Sequence, residues 1–227
     1  MRIKNLIYGD IHFQFKYGFY LVYLIFTIFY ICLLFAFPEG VRSKVATLMI
    51  YTDPAAMGLF FMGAIVLFEK SQRVMNSIAV SPVSVAEYII SKVISLGIIG
   101  TIVGSIIALA SGADNILSII TGIFLGSVIF SLFGLMVASL VSSLNQFMVA
   151  TIPFEILCML PPMIYLFGFR NQLMLLHPGC IVIRLLEGEG LNEPLRLLYL
   201  CLWIIGIYLI TYRIVQKMFA SVGGAKL

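Results

Sequence analysis

Uninterrupted apolar runs of membrane-spanning length recur along the whole chain, and no other feature limits its fold so tightly. Residues 17–37 hold no Asp, Glu, Lys or Arg and are bracketed by Lys16 and Glu39. A hydrocarbon core about 30 Å thick takes roughly 20 apolar residues of helix, so this run is long enough to cross once. Five more runs follow, at about 48–68, 93–110, 116–141, 147–169 and 197–212. Barrel strands alternate over about ten residues, whereas these runs are continuous and longer, which predicts helices. The composition agrees: 62% of residues are apolar and 11% charged, against about 25% charged in an ordinary soluble domain. A water-soluble enzyme is thereby excluded. A free-standing nucleic-acid binder is excluded too, because the formal charge of +4 is spread thinly over a greasy chain. The expected fold is all-α integral membrane, one transmembrane domain over 1–227 with six spanning helices.

An even number of spans puts both termini on one side, and the Lys/Arg bias of the loops says which. Arg2, Lys4, Lys16, Lys70, Arg73, Lys92, Arg213, Lys217 and Lys226 fall on the terminal side. Arg42, Lys44, Arg170, Arg184 and Arg196 fall across the membrane, where most of the acids also lie. Both termini are therefore expected to be cytoplasmic. The first run is longer than a signal-peptide core and no Ala-x-Ala site follows it. Of the four cysteines, Cys32, Cys158 and Cys201 fall inside spans and Cys180 outside, a distribution that predicts no disulfide framework.

Three segments between spans carry further pattern. In 1–16, Ile3, Leu6, Ile7 and Ile11 recur at helical spacing against Arg2, Lys4, Asn5 and Asp10, which suits a helix in the membrane interface. The alternation of Ile11-His12-Phe13-Gln14-Phe15-Lys16 weakens that helix towards its end. In the cytoplasmic loop 69–92, Glu69 and Arg73 stand at i,i+4 in the favourable acid-first order. Ser81-Pro82 reads as a helix start, and Ser84-Val85-Ala86-Glu87 has capping-box spacing. The loop is expected to hold a short helix, a turn and a capped restart into span three. On the opposite side, residues 181–183 and 185–186 of the segment 170–196 are too apolar for a free loop and too short to span, as in a re-entrant helix.

Chemistry of several kinds is missing. The chain has no G-x-x-x-x-G-K-[ST], H-E-x-x-H or G-x-S-x-G pattern, and no cysteine spacing that fits a metal site. Within the spans, Glu155 is the sharpest anomaly. It lies about nine residues, or roughly 14 Å, into span five, close to the bilayer midplane. A carboxyl there faces a substrate or proton path, or a hydrogen-bonding partner across a helix or subunit interface. Pro161-Pro162 removes two amide donors from the same span and should bend or break it. Asp53-Pro54 reads as a cap followed by a first-turn proline. Glycines 97, 100 and 104 in span three, with 122 and 126 in span four, predict close helix packing.

Together the loop and the topology resemble the membrane subunit of a type-2 ATP-binding-cassette exporter. The resemblance rests on Glu69-Lys70-Ser71-Gln72-Arg73, Ser81-Pro82-Val83-Ser84 and Glu87-Tyr88-Ile89-Ile90-Ser91-Lys92, together with six spans and both ends inside. Gly9-Asp10-Ile11-His12-Phe13-Gln14-Phe15-Lys16-Tyr17-Gly18-Phe19-Tyr20 and Thr52-Asp53-Pro54 are most similar to small bacterial permeases described as fluoroquinolone exporters. The resemblance implies a multi-pass protein of the bacterial inner membrane, an interface helix at 1–16 and outer re-entrant helices at 170–196. It also implies a coupling helix at 69–76, with Glu69, Lys70, Ser71, Gln72, Arg73, Val74 and Asn76 contacting a separate P-loop ATPase. That partner would bind ATP and Mg²⁺, while this chain binds no cofactor or metal and is no enzyme. A second permease subunit, identical or a sister, would face it, with Glu155, Pro161 and Pro162 along the path. The rival readings are a stand-alone ion- or proton-coupled carrier using Glu155, and a membrane anchor without transport.

Overall fold

A computed structural model describes residues 2–79 and 81–222; Met1, Val80 and residues 223–227, including Lys226, lie outside the described residues. Every regular element among the described residues is helical. The order is α1 (Arg2–Lys16), α2 (Phe19–Phe35), α3 (Glu39–Ile50), a π-helical turn (Tyr51–Ala55), α4 (Met57–Ser71) and α5 (Val74–Ala79). Then come α6 (Val85–Ala110), α7 (Ile116–Leu140), α8 (Leu144–Leu166), α9 (Pro178–Leu186) and α10 (Pro194–Val222). Five helical segments are long and apolar enough to cross a membrane, and a sixth is counted if α1 and α2, bent by 66° at their junction, form one span. The bend falls at Gly18, whose φ of 78° is a conformation that glycine adopts without penalty.

Expected spans two to six are present with shifted limits, and the first expected run holds the shorter helix α2. Span two begins at Glu39 and runs through the π-turn to Ser71, so Asp53-Pro54 lies inside a continuous helical segment instead of capping one. Its local sequence is that of a cap, but helical residues precede it, and the extra residue is absorbed as a π-turn. Span three starts at Val85, which places Lys92 within the helix and buries it. Span six extends well past Tyr212, because Arg213 and Lys217 sit on the exposed side of a helix that continues through them. Ser81-Pro82 forms a turn, and the helix starts after the Ser84–Glu87 capping box. Helix α1 is unbroken to Lys16 despite the alternation in its second half.

Helix α7 is the centre of the packing, touching α4, α6, α8, α9 and α10. The small residues are placed where helix backbones approach most closely. A Cβ on Gly134 would lie 2.3 Å from the Leu59 carbonyl oxygen, and one on Gly100 would lie 2.6 Å from that of Pro54. Gly122 and Gly126 of α7 accept α9 through Leu185 and Val182. All of α9 except Arg184 is buried, including Cys180, so the apolar segment of 170–196 is part of the core. On the outside, α2, α8 and α10 expose an apolar surface through residues such as Leu24, Leu157 and Leu202. These helices make the chain a multi-pass membrane protein.

Helix α8 runs uninterrupted through Pro153, Pro161 and Pro162, where a bend or a break was expected. Carbonyls freed by proline can be satisfied by neighbouring side chains. Pro162 frees the Cys158 carbonyl, which accepts a hydrogen bond from Tyr51 Oη at 2.6 Å. Pro161 frees the Leu157 carbonyl, which lies towards His177. His177 also caps α9, its Nδ1 accepting from the Gly179 amide at 3.2 Å.

Two outcomes follow from this packing. Gly134→Ala forces α4 and α7 apart and is expected to cost about 1–3 kcal/mol, read as a lower unfolding midpoint in detergent. Gly206→Ala, where a Cβ meets nothing within 4 Å, is expected to leave the midpoint unchanged. Burial holds the His177 imidazole below its ordinary value of 6.5, against the opposing pull of the Leu157 carbonyl. As pH falls below about 6.5 the unfolded chain therefore binds this proton before the folded one, and stability drops until the folded value is passed. His177→Asn keeps a capping side chain and is expected to flatten that part of a stability-against-pH curve.

Candidate functional site at the end of the bundle carrying α1 and α5

At one end of the bundle, called the proximal end, α1 packs on α6, α5 packs on α10, and Phe219 near the end of α10 meets Tyr88 of α6. A single ammonium joins three elements there. Lys92 Nζ lies 2.6 Å from Glu69 Oε1 and 3.0 Å from Asp10 Oδ1. Glu69 is in the last turn of α4, Asp10 on α1 and Lys92 on α6. The second Glu69 oxygen accepts from Tyr88 Oη at 2.8 Å. Tyr88 precedes Lys92 by one helical turn, and its ring lies 4.9 Å from the ammonium. Glu69, Tyr88 and Lys92 are all buried. A buried ion pair persists only when its remaining hydrogen-bonding capacity is satisfied, a condition that the Tyr88 hydroxyl and the second carboxylate help to meet.

Helix α1 is docked through this cluster. Asp10, assigned by the helical pattern to a solvated face, points at Lys92; one turn later the buried Gln14 donates to Ser95 Oγ at 2.9 Å. Arg2 adds a bond from Nη1 to the Pro82 carbonyl at 3.1 Å, joining α1 to the loop after α5. Lys70, the neighbour of Glu69, turns the other way. Its ammonium donates to the carbonyls of Ala138, Ser139 and Val141 at 2.7, 3.0 and 2.9 Å. Those carbonyls end α7, where a cation is favoured by unpaired carbonyls and by the helix dipole.

The residues expected to form one coupling helix are thus divided. Glu69, Lys70 and Ser71 belong to the final turn of α4, Gln72 and Arg73 form a turn, and Val74 and Asn76 open α5. The expected Glu69–Arg73 pair is replaced by Glu69–Lys92, since both Glu69 oxygens are engaged inside the bundle. Arg73 has a φ of 57°, in the left-handed region that costs a side-chain-bearing residue energy. Ser71, Gln72, Arg73, Val74 and Asn76 are exposed, while Met75 is buried as the anchor of α5. Lys92, Tyr88 and Asp10 were not among the expected site residues. They are remote from Glu69 in sequence, and Lys92 was expected in the loop before span three, whereas the helix already contains it.

Glu155 lies elsewhere. It is half-buried on the outer side of α8 in a shallow hollow of about 330 Å³ with Ile156, Met159, Leu160 and Met163. Neighbouring positions Ile152, Ile156 and Leu160 are exposed and apolar. Pro162 and Pro161 sit deeper against Tyr51 and His177.

The sequence matches a known family. The model of a fluoroquinolones export permease protein family matches residues 1–220. Two curated relatives from two strains of Mycobacterium tuberculosis, each named a fluoroquinolones export permease protein, are 28% identical over 153 residues. The match covers 66% of this chain and 64% of each relative.

Lys92→Met leaves two carboxylates without their cation and is expected to cost about 3–5 kcal/mol. The combined Asp10→Asn, Glu69→Gln, Lys92→Met variant is expected to recover part of that loss. Unfolding midpoints of both variants in one detergent check this.

Proposed function

The chain belongs to the fluoroquinolones export permease protein family, and from that premise we propose that it is the membrane subunit of an ATP-driven exporter, coupled to a separate P-loop ATPase. The contact is the exposed turn Gln72-Arg73 with Val74 and Asn76 at the start of α5. The observation that carries this reading is the turn itself: a solvent-exposed arginine held in the left-handed region between two anchored helices. Glycine would occupy that conformation at less cost. A local penalty retained in an exposed side chain suits a residue kept for what it touches.

The anchors give the turn mechanical purchase. On one side Glu69 and Lys70 fasten α4 to α6 and α7, and on the other Met75 is buried. An effector shifts an equilibrium only through contacts that differ between states. A displacement of this turn by an ATPase changing state therefore reaches α6 through Lys92 and α7 through Lys70. Helix α1, tied to Lys92 by Asp10, moves with it. ATP and Mg²⁺ belong to the partner. The Lys/Arg bias supports a reading in which the proximal end faces the cytoplasm of a bacterial cell and the chain sits in its inner membrane.

A second permease subunit, identical or a sister, covers α8. A carboxyl at mid-span facing lipid is costly, and Glu155 is half-exposed on an otherwise apolar face. The partner subunit buries it and forms the path between the two. Hydrophobic drugs of the fluoroquinolone class are the cargo that the relatives' name suggests.

Mild-detergent purification from the native host tests the reading. An ATP-binding-cassette ATPase is expected to co-purify, and Gln72→Ala with Arg73→Ala is expected to lower its recovery about tenfold or more, equivalent to about 1.4 kcal/mol, without changing the unfolding midpoint. A folded chain that carries no ATPase, and whose transport follows the pH gradient and is lost in Glu155→Gln, would overturn it in favour of a proton-coupled carrier.

A further inference from the structure

We propose that the exposed face of α1 binds anionic phospholipid headgroups of the membrane leaflet at the proximal end, with Lys4 and Lys16 on the lipid phosphates and the rings of Tyr8 and Phe15 between them. The docking contacts of α1 fix where this face lies. Arg2 reaches Pro82, Asp10 reaches Lys92 and Gln14 reaches Ser95, so the helix runs beside residues 82–95 in the direction of α6. Helix α6 has 26 residues, about 39 Å of helix, against a hydrocarbon core of about 30 Å. Its uncharged part begins only after Lys92, so the excess length projects at the proximal end. Helix α1 lies beside that projecting part, at the level of the headgroups.

The two sides of α1 differ in kind. Leu6, Ile7, Asp10, Phe13 and Gln14 are turned to the bundle and are wholly or partly buried. The opposite side gathers Lys4, Tyr8, His12, Phe15 and Lys16 by helical spacing, all of them exposed. Tyr8 and Phe15 are 73% and 72% exposed, large rings on a helix side that is otherwise polar. The Phe15 ring lies 5.8 Å from that of Tyr20, where α2 begins its outer apolar surface of Leu21, Leu24 and Ile25. The aromatic part of the face is thus continuous with a surface that meets lipid, and rings of this kind collect at membrane–water boundaries.

Charge selects among the lipids. The single acid of α1, Asp10, is paired with Lys92 on the buried side. Lys4 and Lys16 have no carboxylate within reach among the described residues, and the Glu87 carboxylate at the start of α6 is engaged by Ser84. The exposed face is therefore positive, and each such cation near a surface favours anionic lipid. A zwitterionic headgroup offsets its phosphate with its own ammonium, whereas phosphatidylglycerol leaves the phosphate charge to the lysines. An ATPase surface could also meet two lysines, but the exposed rings in line with the outer surface of α2 favour lipid. Binding requires neither the ATPase nor transport.

A photocrosslinking side chain at position 8 tests this, in the full chain reconstituted into vesicles of equal phosphatidylglycerol and phosphatidylcholine. Lipid adducts are expected, with phosphatidylglycerol in excess by about fivefold or more, the effect of about one lysine at a membrane surface. The excess is expected to vanish in Lys4→Gln with Lys16→Gln, which alters two exposed side chains. It is also expected to vanish in about 1 M salt, where the screening length is about 3 Å. Equal adducts of the two lipids in the chain with both lysines, or an excess that survives the double variant, would overturn the proposal. So would an ATPase adduct from position 8 in native membranes without a lipid adduct. Each of these results leaves the contact at Gln72-Arg73 to be judged by its own test.

Discussion

One ammonium group holds the proximal end together. Lys92 bridges Asp10 on α1 and Glu69 at the end of α4, and Tyr88 completes the Glu69 carboxylate. Because the cluster is buried, its partners cannot separate without exposing charge to a low-dielectric interior, and the cost of that is steep. The three helices consequently keep fixed positions relative to one another, whereas packing of apolar side chains alone would let them slide. Lys70 extends the same constraint to α7 by filling its unpaired carbonyls. The exposed turn at Gln72-Arg73 is thereby attached to most of the bundle through two consecutive residues.

The same accounting of polar groups explains the middle and the far end. A membrane offers no water to satisfy backbone groups, so each irregularity in a span requires a partner. Tyr51 serves the Cys158 carbonyl released by Pro162 of α8, and Thr52 returns a hydrogen bond to the Leu48 carbonyl at 2.9 Å within the π-turn. Not every buried side-chain group has such a partner: Asp53 Oδ2, Tyr23 Oη, Ser127 Oγ and Ser131 Oγ have none among the described residues.

What was legible in the sequence was local. Spans announce themselves by length of apolar run, and the Ser84–Glu87 capping box requires only residues three apart. The glycines of α6 and α7 gave the helix contacts correctly. Partner choice was illegible: Glu69 had a favourable local match in Arg73 and took Lys92, 23 positions away, because burial of α6 made that lysine the more pressing charge to neutralise. Asp53-Pro54 carried the signal of a cap, and only the helix already running before it reveals a π-turn. The end of span six was misplaced for a related reason, since Arg213 and Lys217 stop an apolar run without stopping a helix.

The central claim is that the turn after α4 is where an ATPase grips the bundle. A photocrosslinking side chain at position 72, introduced in the native host, tests it most directly, with position 157 on the apolar face of α8 as the comparison. The account predicts an adduct with an ATP-binding-cassette ATPase from position 72 and none with that ATPase from position 157. Failure of position 72 to reach any ATPase in a folded, membrane-inserted chain would contradict it.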